Sequence, residues 1–167
     1  IDPRVRSMLP ELGSSRSVHG RLRPELAKAW GLGDNVIISA GGGDNMMGAI
    51  GTGNIKPGVV TASFGTSGTL YGVAAAPVVD GQGEVAAFCD STDQWLPLVC
   101  TMNCTVVTEE VRAAFGMPHE RLTGLAAAEP PGAHGASFLP YLQGERVPDW
   151  PHATGALLGL RPGLLRP

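Results

Sequence analysis

The chain has 167 residues, 43% of them hydrophobic and 16% charged, and carries a formal net charge of −3. That length and composition describe an ordinary globular domain with a core, and exclude a low-complexity or highly charged chain. The mild acidity excludes a basic footprint for nucleic acid or an anionic membrane surface, and no apolar run approaches the ~18 residues of a spanning helix.

Residues 1–20 are broken by Pro3, Pro10 and Gly13 and read as loop or short helix. Arg4, Arg6, Arg16, Arg21 and Arg23 crowd the first 23 positions and read as a solvated or inter-domain surface. Residues 24–30 predict a helix, with Pro24 tolerated in the first turn and Gly31 and Gly33 ending it. Residues 35–39 are apolar and rich in β-branched side chains, which predicts a buried strand. Gly41, Gly42 and Gly43 then turn the chain, and residues 45–53 predict a helix of small residues lying close on a sheet. Lys56, Pro57 and Gly58 form a turn and a domain boundary.

Residues 59–64 and 69–73 predict two strands of a hairpin around Gly65, Thr66, Ser67 and Gly68. Residues 85–89 and 95–101 add two strands; residues 105–115 and 120–128 predict helices closed by Gly116 and by Pro130-Pro131-Gly132. A strand over 137–142, a polar loop over 144–152 and a sheet-like apolar segment over 155–160 complete an α/β pattern of mixed strand order. Cys89, Cys100 and Cys104 match no zinc spacing and predict buried free thiols of a reducing, cytoplasmic protein.

The chemistry concentrates at Asp44. From Asn45 to Val79 there is no other acid, and Lys56 is the only base. An isolated carboxylate is costly to bury unless it is hydrogen-bonded or used, and the preceding glycines leave open space above it. A dinucleotide fingerprint fails, because Met46 stands where the third small residue belongs and no acid follows at the ribose-binding distance. Neither glycine-rich site has the Lys-Ser/Thr of a Walker loop. A serine-hydrolase elbow at residues 65–69 fails too, since the closing glycine is shifted and the turn lies in a hairpin. What remains is a lone carboxylate on a glycine platform, followed some twenty residues later by a hairpin turn of glycines and hydroxyls. Such a turn offers backbone N–H groups and hydroxyls to a phosphate oxygen, although an ordinary tight hairpin has the same composition. A base beside a phosphate cradle is the equipment for phosphoryl transfer to an alcohol.

With those residues in view, the chain resembles the FGGY carbohydrate kinases. Gly41-Gly42-Gly43-Asp44-Asn45, with Gly48-Ala49-Ile50-Gly51-Thr52-Gly53, is similar to the family's catalytic-base segment. Ser63-Phe64-Gly65-Thr66-Ser67-Gly68-Thr69-Leu70 resembles its phosphate-touching hairpin. Pro140-Tyr141-Leu142, Gly144-Glu145-Arg146 and Pro148 resemble a loop of its second domain, and residues 153–160 the strand region after it. The resemblance implies the actin-like ATPase fold, RNase H-like in each half. Residues 1–56 would close the first, sugar-binding domain and residues 57–167 would open the second, nucleotide-binding one. It implies Asp44 as general base, Asn45 as a sugar contact, and Gly65, Thr66, Ser67 and Gly68 as the phosphate turn. The implied reaction uses ATP with Mg²⁺ to phosphorylate a ketopentose, D-xylulose before others, and allows a homodimer of the full-length enzyme.

The family's acidic Mg²⁺ loop and its adenine segment have no counterpart here, so no metal ligand is assigned and the chain alone is expected to be inactive. The chain starts at Ile1 and stops at Pro167 in mid-pattern, which leads us to expect a piece of a longer protein. Two rival readings stay open: a gluconate, deoxyketose or glycerol kinase of the same family, and a non-catalytic nucleotide-binding module in which Asp44 is structural.

Overall fold

The computed structural model describes residues 3–164. Ile1, Asp2 and residues 165–167, where the outer bounds of the expected domains fall, lie outside the described residues, as does the side chain of Arg6.

A short helix, α1 (Val5–Met8), precedes a two-stranded antiparallel ribbon of β1 (Val18–Arg21) and β2 (Ile37–Ser39), with α2 (Pro24–Ala29) between them. Pro24 occupies the first turn of α2, where its missing N–H costs nothing. The strand expected over 35–39 forms, but it is exposed rather than buried. Ile37 and Ile38 have only β1 beside them and no layer across their faces. Of the amino-terminal arginines, Arg16 pairs with Asp93 at 3.0 Å, Arg23 with Glu25 at 3.5 Å, and Arg21 donates to Asn35 Oδ1 at 3.1 Å.

After the glycine run comes α3 (Asp44–Gly51), then a four-stranded sheet in the order β3-β4-β6-β5, antiparallel throughout. Its strands are β3 (Val60–Phe64), β4 (Gly68–Gly72), β5 (Ala86–Cys89) and β6 (Trp95–Thr101). Helices α4 (Thr105–Ala114) and α5 (His119–Ala128) follow, and β7 (Ser137–Leu139) pairs with β8 (Ala156–Leu158). The strand order is mixed, as expected from the sequence: β3 and β4 form a hairpin, residues 73–85 carry the chain past one strand position to β5, and β6 returns between β4 and β5.

The core is small and lies under α3. Ala49, Tyr71, Val73, Leu96 and Leu98 form it, with Met46 and Cys100 packed against them. Small residues let the helix approach: a methyl group added at Gly48 would stand 2.9 Å from the Tyr71 hydroxyl. Buried Asn54, just past the helix, donates to Thr61 Oγ1 and to the Tyr71 carbonyl (both 3.1 Å) and accepts from the Val73 N–H at 3.4 Å. Burying a side-chain amide is tolerable only with such partners, and these lock α3 onto β3 and β4. One core thus joins the helix that carries Asp44 to the sheet that carries the hairpin turn.

The opposite face of the sheet is open. Val60, Phe64 and Leu70 are exposed there, and the chain presents 12269 Å² of surface, against the roughly 7,800 Å² that size scaling gives for a compact 17.3 kDa monomer. The full domain core expected from length is therefore not made by these residues alone. The three cysteines are free, and Cys89 is exposed rather than buried because β5 is an edge strand.

Candidate active site

Residues 40–43 run from β2 to α3 alongside the segment before β1, with the Ala40 N–H on the Ser17 carbonyl (2.9 Å) and the Gly41 N–H on the Ser15 carbonyl (3.1 Å). Gly41 has φ +74°, a left-handed conformation that favours glycine. At Gly42 a Cβ would collide with Ser91 Oγ, so the turn between β5 and β6 closes directly over the platform.

Asp44 is the first residue of α3 and is exposed. Asp44 is not buried, so the cost of covering an isolated carboxylate does not arise, and the side chain is open to solvent. Its Oδ1 accepts the Asn45 N–H at 2.7 Å, and among the described residues no cation pairs with it. The helix N-terminus is a favourable place for a carboxylate. A solvent-facing acid free of any cation can accept a proton from a bound alcohol.

Half-buried Asn45 accepts a hydrogen bond from the Thr69 hydroxyl at 3.4 Å. Thr69 is the second residue of β4, directly after the hairpin turn, so this bond brings the two predicted elements side by side. Phe64 pairs with Gly68, which leaves residues 65–67 as a three-residue loop closed by the Gly65 N–H on the Ser67 carbonyl at 3.1 Å. The Gly65 and Thr66 carbonyls accept the Thr105 and Cys104 N–H groups at 2.9 and 3.2 Å. The first N–H groups of a helix have no partner of their own, so the turn caps α4 while α4 pins the turn. A methyl group added at buried Gly68 would sit 3.1 Å from both Cys104 Sγ and Thr101 Cγ2, tighter than ordinary packing. The Gly65 N–H is used inside the turn, and the exposed Thr66 and Ser67 are left to meet a ligand.

Glu145 stands directly before Arg146 in the chain, yet the structure gives its carboxylate a hydrogen-bond cage in place of that guanidinium. Only 2% of Glu145 is exposed. Its Oε2 accepts Thr101 Oγ1 at 2.6 Å and Asn103 Nδ2 at 3.0 Å; its Oε1 accepts the Met102 and Arg146 N–H groups at 2.8 and 2.9 Å. The Arg146 guanidinium goes to Cys100 Sγ instead, at 2.9 Å. Burial pushes this carboxyl up, but the bonds from Thr101, Met102, Asn103 and Arg146 outweigh it and hold the group at about 2. Because the folded value lies below the ordinary one, the stability Glu145 carries is whole above about pH 4.5 and is lost as pH falls toward 2. The depression corresponds to on the order of 3 kcal/mol. Thermal melts of the full-length protein between pH 6 and pH 3 are expected to show a falling midpoint, flatter in Glu145→Gln; equal slopes in both proteins would contradict this assignment.

Asp90, Asp93 and Asn103 each have partners of their own. Asp90 accepts the Thr92 and Gln94 N–H groups and shapes its own turn, Asp93 pairs with Arg16, and Asn103 is buried beside Glu145. His119 and His134 lie 3.4 Å from Glu109 and Glu129 respectively, so each is engaged by a carboxylate and not by a serine. A cavity of about 260 Å³ beside the hairpin is lined by Phe64, Gly68, Leu70, Cys100, Cys104 and Val147 among others, and holds no acid or base.

Residues 2–51 match the family model for the N-terminal domain of the FGGY family of carbohydrate kinases. The chain is 46% identical over 153 residues to a xylulose kinase of Haemophilus influenzae, a match covering 92% of the chain and 31% of that protein. It is 38% identical over 161 residues to a xylulose kinase of Streptomyces rubiginosus, covering 96% of the chain and 31% of the relative. Among solved structures it superposes on the xylulose kinase of Bifidobacterium adolescentis with TM-score 0.75 and 36% identity, over 92% of this chain and 30% of that one. The chain thus spans about a third of the length of the relatives it matches. Sequence and fold together place it in the FGGY family of carbohydrate kinases, with the actin-like ATPase fold of that family.

Proposed function

We propose that this chain supplies the general base and the phosphate-contacting turn of an ATP-dependent sugar kinase that converts D-xylulose to D-xylulose 5-phosphate. The observation that carries the reading is the Asn45–Thr69 hydrogen bond, which sets an unpaired, exposed carboxylate next to an exposed Thr66–Ser67 turn. Asp44 takes the proton from the attacking sugar hydroxyl and Asn45 holds the sugar. Residues 65–68 receive the phosphoryl oxygens on the Thr66 and Ser67 amides and hydroxyls. Positioning and charge stabilisation supply most of the rate in phosphoryl transfer, and the base adds its share. Residues 1–56 belong to the sugar side and residues 57–167 to the nucleotide side in this reading.

Mg²⁺ would arrive with the phosphates of ATP. Among the described residues no three His, Cys, Asp or Glu side chains stand together to hold a metal, so these residues do not form its site and no step is assigned to it here. The whole enzyme works in the cytoplasm in this reading, and no described helix is long and apolar enough to cross a membrane. The names of the relatives favour xylulose over other sugars.

Sugar-dependent ATP consumption by the full-length protein, measured across D-xylulose, D-gluconate, a deoxyketose and glycerol, tests the proposal. D-xylulose is expected to give the highest kcat/KM, and residues 1–167 alone are expected to give no turnover. A higher kcat/KM for gluconate would move the assignment within the family; no consumption with any sugar would favour the non-catalytic module.

A further inference from the structure

We propose that Glu145 is a positioning residue for the phosphate-contacting turn, acting through the connection between β6 and α4; this rests on the reading of residues 65–68 given above. The turn is held at three points, and all three lie on residues 101–105. Gly68 pairs with Thr101 in the sheet, the Thr66 carbonyl accepts the Cys104 N–H at 3.2 Å, and the Gly65 carbonyl accepts the Thr105 N–H at 2.9 Å. Residues 101–103 are in turn held by one carboxylate. Glu145 accepts from the Thr101 hydroxyl, the Met102 N–H and the Asn103 amide. Asn103 carries the clamp into the loop that bears Glu145, donating to the Gly144 carbonyl at 2.7 Å and accepting the Leu142 N–H at 3.1 Å.

A buried carboxylate with this many donors and no cation is built to hold backbone in place. The donors it collects come from the segment that fixes the Gly65 and Thr66 carbonyls, and hence the direction in which the Thr66 and Ser67 amides point. Loosening residues 101–103 frees Cys104 and Thr105 to shift and tilts the turn away from the incoming phosphates. Misplacement by about an ångström is enough to cost roughly a hundredfold in a positioned reaction. Asp44 and Asn45 are held by α3 and the core beneath it, so the sugar side is spared.

The test is steady-state kinetics on the full-length kinase carrying Glu145→Gln, with Thr101→Val as a milder second variant and Arg146→Gln as control. In Glu145→Gln an amide N–H₂ faces N–H and O–H donors. Its KM for ATP is expected to rise about tenfold or more, with the KM for sugar within about twofold of the parent. Thr101→Val removes one donor and is expected to raise the ATP KM about threefold. Arg146→Gln is expected to leave it unchanged, since the guanidinium takes no part in the cage. A merely structural brace would lower the melting temperature and the active fraction without separating the two KM values. An unchanged ATP KM in folded Glu145→Gln, or in Thr101→Val if the first variant does not fold, overturns the proposal. Should the parent enzyme show no sugar-dependent ATP consumption, the reading of the turn falls and this proposal with it; an active parent with unaffected variants removes only the role of Glu145.

Discussion

Replacing Asp44 by Asn in the full-length protein is expected to lower kcat for the proposed sugar phosphorylation by about 10²–10⁴, the usual contribution of a general base. The change keeps size and hydrogen-bonding shape and removes only the ability to take a proton. Asp44 is exposed, its side chain bonds among the described residues only to the adjacent Asn45 N–H, and it is not part of the core, so folding is expected to be unaffected. ATP binding is expected to stay within about twofold, because residues 65–67, the proposed phosphate contact, are fixed by α4 and not by Asp44. A kcat within a factor of three of the parent would show that another group takes the proton, or that the protein is the non-catalytic module.

A large stability effect is expected at Gly144. Its φ of +69° is left-handed, and a Cβ there would collide with the Pro151 carbonyl, a backbone group with no rotamer to retreat into. The Gly144 carbonyl is also the acceptor for Asn103 Nδ2. Gly144→Ala adds about 1–2 kcal/mol of left-handed strain to the backbone clash. A total of roughly 3–5 kcal/mol is expected, in the range reserved for strained and overpacked sites. Denaturant unfolding of the full-length protein measures it. Gly81→Ala is the control: no atom lies near its Cβ position, and a change within about 0.5 kcal/mol is expected. A loss below about 1 kcal/mol for Gly144→Ala would mean that the 140–153 loop relaxes freely and does not hold Glu145 as described.

The local signals in the sequence translated well into elements. Pro24 at the start of α2, the glycine run before α3, the hairpin around residues 65–68 and the closure of α4 at Gly116 all act within a few residues, and each element formed within one or two positions of its expected bounds. The order Asp44, Asn45, then the hydroxyl turn was likewise readable, because backbone freedom at glycine and hydroxyl chemistry are written in residue type. Burial was not readable in the same way. Residues 35–39 were expected to form a buried strand, and the strand that forms, Ile37–Ser39, is exposed, since it has only β1 beside it. The Glu145 cage was invisible for a different reason. Its donors Thr101, Met102 and Asn103 lie more than forty positions away in the chain, and a neighbouring arginine offered a simpler partner that the fold does not use. The one advance signal was a glutamate directly after a glycine, which marks a special backbone site without naming its partners.

The crystal structure of the full-length protein with D-xylulose and a non-hydrolysable ATP analogue tests the central claim most directly. The account predicts an Asp44 carboxylate oxygen within about 2.6–3.2 Å of the attacking sugar hydroxyl, with the Thr66 and Ser67 amides on terminal phosphate oxygens. A sugar hydroxyl bound to some other acid, with Asp44 facing solvent and residues 65–68 away from the phosphates, would contradict it.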